Sequence, residues 1–374
     1  MKIFNHHIFR LLFLSLLLIV FSNFRANAGN PEKDDKGKGG EEPFNAGKMI
    51  IEHITDAHEW HIMKVGETEV TIPLPVILYD NGSIVTFSSS HFKHGEEAYN
   101  GYKLEMEGEY KGKIVKVDEN GEIDAEAGIP LDFSITKNTL SLFISLTLLC
   151  VIFISIAQRY KKNPNRAPKG LQSVMEFLII FVRDDVIKPS IGKKYERYLP
   201  YLMTLFFFIF FSNLLGIIPF FPGGANLTGN IAITMVLALF TFTITTFSGN
   251  KSYWTHIINT PGVPWWLKIP IPLMPVVEII GLITKPFVLM VRLFANISAG
   301  HIIILGFIGL IFIFGNINIG AGLGASVVSV IFAVFMGMLE LLVAFLQAYV
   351  FTLLSSLYFG MAIEEHEHHE EKAH

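Results

Sequence analysis

Two apolar segments in the second half of the chain are longer than a membrane is thick. They cover residues 272–314 and 325–361, and neither contains a cluster of turn residues. As α-helices they would measure about 65 Å and about 55 Å, whereas the hydrocarbon core of a bilayer is roughly 30 Å thick. We therefore predict two strongly tilted, antiparallel helices that are joined at residues 315–324.

The remainder of the chain supports a membrane protein with about five crossings. Of its 374 residues, 51% are hydrophobic and only 17% are charged, a balance that is unusual for a soluble protein. Three more segments are long enough to span hydrocarbon, at residues 140–157, 199–221 and 231–247. Residues 173–187 are too short and too charged to span, and we expect them to lie along the membrane surface. The predicted membrane domain covers residues 138–362.

The N-terminal residues have the pattern of a secretory signal peptide. Lys2 and Arg10 precede an apolar core at residues 11–21, and the small residues Ala26 and Ala28 form a cleavage site. We predict a signal peptide at residues 1–28; an uncleaved first membrane helix is the alternative. Cleavage would place the mature N-terminus outside the cytoplasm.

Residues 29–137 differ in composition from the membrane domain. Residues 31–43 are charged and bear glycine and proline, which is typical of a linker. The segments that follow predict a small β-rich extracytoplasmic domain. Its expected elements are a short helix at 50–61, a hairpin of strands 70–79 and 83–90 around Asp80-Asn81-Gly82, and a strand–turn–strand at 114–131. The predicted fold class is thus an all-α polytopic membrane protein with this β-rich domain at its N-terminus.

The distribution of charge predicts the orientation in the membrane. Residues 158–170 carry five cations and no acids, which places this loop in the cytoplasm by the positive-inside rule. The N-terminal domain is then periplasmic, and after five crossings the polar, His-rich tail at residues 363–374 is cytoplasmic. The net charge of −4 says little about partners, and we predict no nucleic-acid ligand.

Ionisable residues inside the membrane segments are the candidates for function, because each is costly to insert there. Arg292 lies in a run, residues 286–314, that contains no aspartate, glutamate or lysine. Glu278 and Lys285 precede it at intervals of seven residues, so the three share one helical stripe. Asn296 lies one turn further on. The alternative for Lys285 is a side chain that extends to the inner interface without a function.

Two pairs are predicted between the long helices. Residues equally distant from the connection should lie at similar depth, which matches His301 with Glu340 and Arg292 with Gln347. A histidine and a glutamate at one depth could pass protons, because histidine titrates near neutral pH. The alternative is a hydrogen-bonded clamp with only a structural role.

No metal site or cofactor is predicted. Cys150 is the single cysteine, so no intrachain disulfide can form and a cysteine-ligated metal is excluded in practice. Neither of two histidine clusters has the spacing of a closed metal site. These clusters are His53, His58 and His61 near the N-terminus, and His366, His368, His369 and His374 in the tail.

Several segments resemble subunit a of F-type ATP synthases. They are RLFANISAGH (292–301), LELLVAFLQAYVFTLL (339–354), FSNLLGIIP (211–219), GANLTGNIAIT (224–234) and KYERYLPYLMTLFFFIFF (194–211). The likeness covers roughly residues 130–362, and the arginine, the asparagine and the later glutamine stand at the spacing of that family. It implies a non-catalytic channel subunit in a bacterial inner membrane.

The resemblance implies a role for each matching position. Arg292 would be the stator arginine opposite the ion-binding carboxylate of the rotating c-ring. The periplasmic half-channel would be lined by Asn296, His301, Glu340 and Gln347, and the cytoplasmic one by Glu278. The implied partners are the c-ring, the peripheral-stalk subunit b, protons and the lipid bilayer. His301 and Glu340 are exchanged relative to many bacterial members, and the resemblance assigns no function to residues 29–137.

Two other functions remain open from the residues alone. An ion-coupled secondary transporter could use Glu278, Arg292 and Glu340 as a substrate site, but it would require an acid and the arginine to meet within one chain. A membrane-anchored binding protein would place the function in residues 29–137.

Overall fold

The computed structural model contains the five membrane helices expected from the sequence. It describes residues 45–65, 68–106, 108–118, 121–124, 128–165, 167–218, 221–258 and 273–364. Five helices within these ranges are long and apolar enough to cross a membrane. The predicted signal peptide, the linker at 31–43 and residues 365–374 of the tail lie outside the described residues.

The helical part contains eight α-helices and two shorter helical turns among the described residues. The α-helices are α2 (Lys137–Lys162), α3 (Leu171–Phe181), α4 (Lys188–Ile191), α5 (Tyr195–Ile217), α6 (Ile231–Ser248), α7 (Lys251–Ile258), α8 (Leu273–Ile317) and α9 (Ile319–Ile363). A π-helical turn (Val182–Ile187) joins α3 to α4, a 3-10 turn (Gly192–Lys194) joins α4 to α5, and a second 3-10 helix (Ser89–Gly95) belongs to the N-terminal domain.

The N-terminal domain contains one helix and three small antiparallel sheets within the described residues. Its elements are α1 (Ala46–Ile54), β1 (Glu59–Val65), β2 (Thr68–Pro73), β3 (Pro75–Asp80), β4 (Ser83–Ser88), β5 (Tyr102–Leu104), β6 (Ile114–Lys116) and β7 (Leu131–Asp132). The sheets have the orders β1-β2, β4-β3-β7 and β5-β6. This confirms the β-rich domain.

The hairpin between β3 and β4 turns at the residues expected from the sequence. Asp80 pairs with Ser83, and both residues of the turn have positive φ angles, 48° at Asn81 and 83° at Gly82. Asparagine and glycine adopt this conformation most readily, and a two-residue turn of this kind matches the twist of the strands. The hairpin prediction is confirmed.

Two predictions for the N-terminal domain were wrong in detail. The helix predicted at 50–61 ends at Ile54, because residues 59–65 instead pair with β2 and gain their backbone hydrogen bonds there. The strand–turn–strand predicted at 114–131 separates: β6 pairs with β5, and β7 pairs with β3. In the second case β7 pairs with β3 because β3 contributes the fully buried Val76 and Leu78 to the domain core.

The segment from α3 to α4 packs beside the C-terminal half of α9. Gly360 of α9 makes this possible: a Cβ atom at this position would lie only 2.1 Å from the Ser190 carbonyl oxygen. Gly192, with a φ angle of 75°, then turns the chain into α5. That this segment lies along the membrane surface stays a prediction.

The two long helices form a hairpin with a one-residue connection. α8 and α9 have 45 residues each, and only Asn318 separates them. The predicted connection at 315–324 was too wide, because the Asn318 side chain accepts a hydrogen bond from the Ala321 backbone and caps α9 directly. Gly322 lets the helices approach, since a Cβ atom there would lie 2.7 Å from Gly315 Cα.

The hydrophobic core of the helical part centres on α5. Its buried side chains include Leu202, Phe206 and Ile209, each with no exposed surface. They pack together with buried residues of α8 and α9, among them Leu293 and Phe359. The hairpin is covered along one side, with α5 packed on α9 and α6 packed on α8, while most of its other large apolar side chains are exposed in the single chain.

Candidate functional site

His301 of α8 and Glu340 of α9 form a buried pair between the long helices. His301 Nε2 lies 3.5 Å from Glu340 Oε1, and the two residues are 9% and 4% exposed. The pairing predicted from equal depth is confirmed. The separation allows a charge interaction, yet Glu340 Oε1 has no hydrogen-bond partner among the described residues.

Small residues and a polar loop surround this pair. On α5, a Cβ atom at Gly216 would lie 3.6 Å from His301 Nε2 and 3.4 Å from the Ala225 carbonyl oxygen. Ala225 belongs to the loop between α5 and α6, and two further residues of this loop, Asn226 and Thr228, are 4% and 1% exposed. The loop between α5 and α6 is thus folded into the protein beside the His–Glu pair.

Hydrogen bonds hold this loop between three helices. The Thr228 hydroxyl donates to Asn213 Oδ1 of α5, and Asn213 Nδ2 donates to the Ala344 carbonyl oxygen of α9 over 3.3 Å. From α8, the Ser298 hydroxyl donates to the Gly229 carbonyl oxygen over 3.4 Å. The loop therefore fixes the relative positions of α5, α8 and α9 at the depth of the pair.

Several buried polar atoms near this loop lack a partner among the described residues. They include Ser212 Oγ and Asn226 Nδ2 as well as Glu340 Oε1. Buried polar groups are nearly always hydrogen-bonded, and ordered water is the usual partner where protein offers none. The region around the pair is therefore suited to hold water.

Arg292 lies on the exposed side of the hairpin. Its side chain and that of Asn296 are exposed in the single chain. No hydrogen bond or ion pair joins Arg292 to any residue in the described ranges. Gln347, predicted to face it, is buried at 7% exposure on the side toward α5, and no hydrogen bond between the two is found in those ranges. This second predicted pair is not observed.

The other two members of the predicted stripe lie near the far end of the hairpin. Lys285 Nζ lies 5.4 Å from the centre of the Tyr358 ring, a cation–π contact between α8 and α9. Glu278 is half-buried. Burial, followed by the negative charge of Glu278, raises the pKa of Tyr253 on α7. Glu278 therefore faces α7.

The histidines near the N-terminus do not assemble a metal site within the described residues. His58 instead pairs with Asp132, with Nε2 and Oδ2 2.8 Å apart. The histidines of the tail lie outside those residues.

Asn213 and Thr228 were not singled out by the sequence analysis. Both belong to segments that resemble the ATP synthase family, yet neither was assigned a role. The signal for Asn213 was present, since it stands with Ser212 inside the apolar run of α5. Thr228 gave no such signal, because it follows Pro222 and two glycines in what reads as an ordinary turn.

The fold and the candidate site together indicate a class of protein. A buried His–Glu pair lies between two of the five helices able to cross a membrane, and an arginine with no acid beside it among the described residues lies on the outer face of the same hairpin. Ionisable groups at such positions are typical of polytopic membrane proteins that move ions.

Comparison with known proteins identifies the family within this class of membrane proteins. Residues 139–360 match the family model for the ATP synthase A chain, and the chain belongs to this family. Its members are non-catalytic membrane-sector subunits of the enzyme complex. Residues 49–133 match a second model, described as a domain of unknown function (DUF8433).

Named bacterial relatives agree with this assignment. ATP synthase subunit a of Chloroherpeton thalassium is 45% identical over 65% of this chain and 70% of its own length. ATP synthase subunit a 2 of Chlorobaculum tepidum is 47% identical over 65% and 68%. ATP synthase subunit a of Myxococcus xanthus is 43% identical over 65% and 78%.

Proposed function

We propose that this chain provides two offset proton half-channels and the stator arginine that couple proton flow to rotation of the c-ring. Arg292 is the arginine. His301, Glu340, Gln347 and Asn296 line the periplasmic half-channel, and Glu278 lines the cytoplasmic one. The partners are the c-ring, the peripheral-stalk subunit b and the lipid bilayer of a bacterial inner membrane.

The observation that carries this proposal is the position of Arg292. The side chain is exposed on the outer face of a long apolar hairpin, where an unpaired cation facing lipid would be costly. No acid within the described residues pairs with it. The acid must then come from another polypeptide, which favours a ring carboxylate over the substrate site of a secondary transporter.

The buried pair supports a periplasmic route. His301 and Glu340 lie 3.5 Å apart beside a polar loop with unpartnered atoms, so the two titratable groups and the loop form a polar region within the apolar bundle that is suited to hold water. Histidine and glutamate can each accept and release a proton there. Gln347 lies seven residues beyond Glu340 on the same buried face of α9 and extends that region toward the depth of Arg292.

Glu278 supports a separate route on the other side. It lies near Tyr253 of α7, far along α8 from His301, at about 35 Å by helix length. The connection between α6 and α7 also binds the C-terminal end of α9, since Asn250 Nδ2 donates to the Glu364 carbonyl oxygen over 2.8 Å. Two polar regions at opposite ends of one hairpin suit two offset half-channels.

The charge of Arg292 couples proton transfer to rotation of the c-ring. A ring carboxylate next to Arg292 is held in its ionised form by the opposite charge. It therefore releases its proton on one side of the arginine and takes up another on the other side, and no proton passes directly between the routes. Each proton that crosses a potential of roughly 150 mV delivers about 3.5 kcal/mol, which biases rotation in one direction.

Orientation follows from the positive loop between α2 and α3. Arg159, Lys161 and Lys162 end α2, and the positive-inside rule places this end in the cytoplasm. The N-terminal domain is then periplasmic and the end of α9 is cytoplasmic.

A crosslinking experiment tests the proposal. Cys150 is the single cysteine and is exposed, so it is first replaced by serine. Val288, one turn before Arg292 and 37% exposed, is then changed to cysteine and labelled with a photoreactive maleimide in the intact complex. We expect a covalent product with the ring subunit.

Val151→Cys on α2, where the wild-type side chain is 60% exposed, is the matched control and should give none. A Val288 product with lipid alone would refute the assignment.

A further inference from the structure

The N-terminal domain contacts the long hairpin directly. Helix α1 packs on α8 at Gly309, where an added Cβ atom would lie 3.1 Å from Ala46 Cβ and 3.8 Å from Met49 Cε. Gly309 is eight residues beyond His301, about 12 Å along the helix. The domain of unknown function therefore lies against the same end of α8 that carries the His–Glu pair.

The start of α2 fastens α1 in this position. Lys137 Nζ donates to the His53 carbonyl oxygen over 3.0 Å, and the Lys137 backbone amide donates to the Ala57 carbonyl oxygen over 2.8 Å. The next backbone amide, of Asn138, donates to Asp56 Oδ1 over 3.0 Å. Lys137 is only 7% exposed. Three bonds between the start of α2 and the end of α1, two of them part-buried side-chain bonds, make α1 a fixed part of the periplasmic end.

The packing places His53 beside His301. His53 is seven residues after Ala46 and so lies on the same face of α1. If α1 and α8 are antiparallel, the seven residues from Ala46 to His53 cover about the same distance as the eight residues from Gly309 back to His301. The end of α1 does lie toward the pair, since Trp60, which follows α1, packs on Phe221 of the loop beside His301 with ring centroids 5.3 Å apart, and the charge of His53 also acts on His301. His53 is itself exposed, so it connects the buried histidine with the surface.

The charges around His53 favour its neutral form. His53 keeps surface exposure, but partial desolvation by the surrounding protein, followed by the positive charges of Lys137 and His61, lowers its pKa. Asp56 offsets part of this charge, since it interacts with Lys137. From α8, His301 is the titratable group that faces His53. A histidine of this kind takes up a proton from an acidic medium and releases it readily.

We propose that His53 is a surface proton relay that delivers protons from the periplasm to His301, and that the N-terminal domain forms the entrance of the periplasmic half-channel. The proton passes from hydronium to the His53 ring and then, through bridging water, to the His301 ring; His53 returns to its neutral form. This inference rests on the proposed function, since it needs a proton route that begins at His301.

The test uses His53→Gln in the intact ATP synthase. Glutamine cannot titrate, and it keeps the backbone carbonyl that accepts from Lys137, so docking of α1 is preserved. The complex is placed in liposomes whose lumen faces the N-terminal domain, and ATP synthesis is started by an acid lumen and an alkaline exterior. We expect the rate to fall about threefold, since water remains a parallel route. The loss should be greatest at a lumenal pH below about 6.5, the ordinary histidine value.

Imidazole in the lumen distinguishes a relay from a structural role. It should restore most of the lost rate in His53→Gln, while a sulfonate buffer of equal capacity should not. His94→Gln is the matched control, because this histidine of the same domain pairs with Glu59 instead, and it should behave as wild type. An unchanged rate in His53→Gln, or a loss that imidazole does not restore, would overturn the inference. Neither result affects the proposed function, which fails only if the ring does not crosslink beside Arg292.

Discussion

Gly300 of α8 meets the Glu340 carboxylate of α9 across the long hairpin. A Cβ atom at Gly300 would lie 3.1 Å from Glu340 Oε1 and 3.3 Å from its Cδ, which is shorter than an ordinary van der Waals contact. The missing side chain at this position therefore leaves the space that the carboxylate occupies next to His301. A position that reads as a helix-packing glycine in the sequence also shapes the candidate proton route.

A larger side chain at this position should displace the carboxylate. We expect Gly300→Leu to lower passive proton flux through the membrane sector at least about tenfold, because overpacking forces the neighbour to move. Gly300→Ala should have a small effect, since the end of the Glu340 side chain can shift by a few tenths of an ångström. Flux is measured by fluorescence quenching in membranes stripped of the catalytic sector. Gly306→Leu is the control, as nothing lies within 4 Å of an added Cβ there. Equal losses in both would contradict the prediction.

His301 and Glu340 should act as one unit. His301→Ala and Glu340→Ala should each slow proton flux strongly, and the double variant should be little worse than either single variant, because each removes the same route. Residues in contact commonly couple by about 0.5–3 kcal/mol. A double-mutant cycle on the flux provides the measurement, and additive losses would mean that the two residues do not share a path.

Arg292→Lys should abolish coupled ATP synthesis. Lysine concentrates its charge in a compact ammonium that loses its proton more readily on burial, whereas the guanidinium stays charged and presents a planar fork of donors. ATP-driven proton pumping in membrane vesicles is the readout. Lys285→Arg, two turns earlier on the same stripe, is the control and should retain pumping because arginine also stacks on Tyr358. Normal pumping by Arg292→Lys would refute its role.

Loss of the Asn213 amide should destabilise the helical part. Asn213→Leu leaves the Thr228 hydroxyl without its partner, at about 1–3 kcal/mol for a buried group left unsatisfied. It also removes the additional bond to the Ala344 carbonyl, which keeps the bond of its own helix. We expect a lower thermal midpoint for the detergent-solubilised complex and a loss of proton flux. Thr204→Val is the control, since that exposed hydroxyl bonds only to the Pro200 carbonyl within its own helix. A midpoint equal to that of the control would show that the loop is held by other contacts.

Acid should weaken the N-terminal domain through Asp132. Partial burial opposes ionisation of this carboxyl, but hydrogen bonds from His58 and Ser134 outweigh it, so its pKa lies below the ordinary value. A lowered aspartate pKa stabilises the fold above the unfolded value of about 3.9 and loses this contribution as the pH falls through the folded value. Proteolysis of the domain in the intact complex should therefore accelerate below about pH 4.

Asp132→Asn should show weaker protection at neutral pH and a flatter dependence on acid. Glu96→Gln, at an exposed carboxyl of the same domain, should keep the wild-type profile. Identical pH profiles for Asp132→Asn and wild type would assign the acid sensitivity to another group.

The pairing of the long helices could be predicted because helix geometry converts sequence distance into depth. Three facing pairs, Gly315 with Gly322, Phe307 with Phe332 and His301 with Glu340, all have midpoints between residues 318 and 321. The middle of the connection predicted from the sequence, residues 315–324, falls within this interval. The same reasoning also predicted a contact of Arg292 with Gln347, which is not observed, because depth alone does not specify which face each residue occupies.

Contacts between distant segments were not predictable from local patterns. Periodicity predicts a helix near residue 50, but not that it docks at Gly309, because a glycine in an apolar helix gives no indication of its partner. The role of Asn213 was hidden for the same reason: its partners are a loop residue fifteen positions later and a backbone carbonyl at Ala344. The partners of the strands in the N-terminal domain were likewise not predictable, because they depend on which side chains are buried in the domain core.

The one-residue connection at Asn318 also restricts how the gene for such a chain can change. Each residue turns a helix by about 100°, and no loop between α8 and α9 can absorb an added one. A single codon inserted between His301 and Glu340 would swing the carboxylate a quarter-turn or more away from the imidazole. Substitutions in this stretch alter one contact each, whereas a deletion or duplication there would misalign the whole downstream helix.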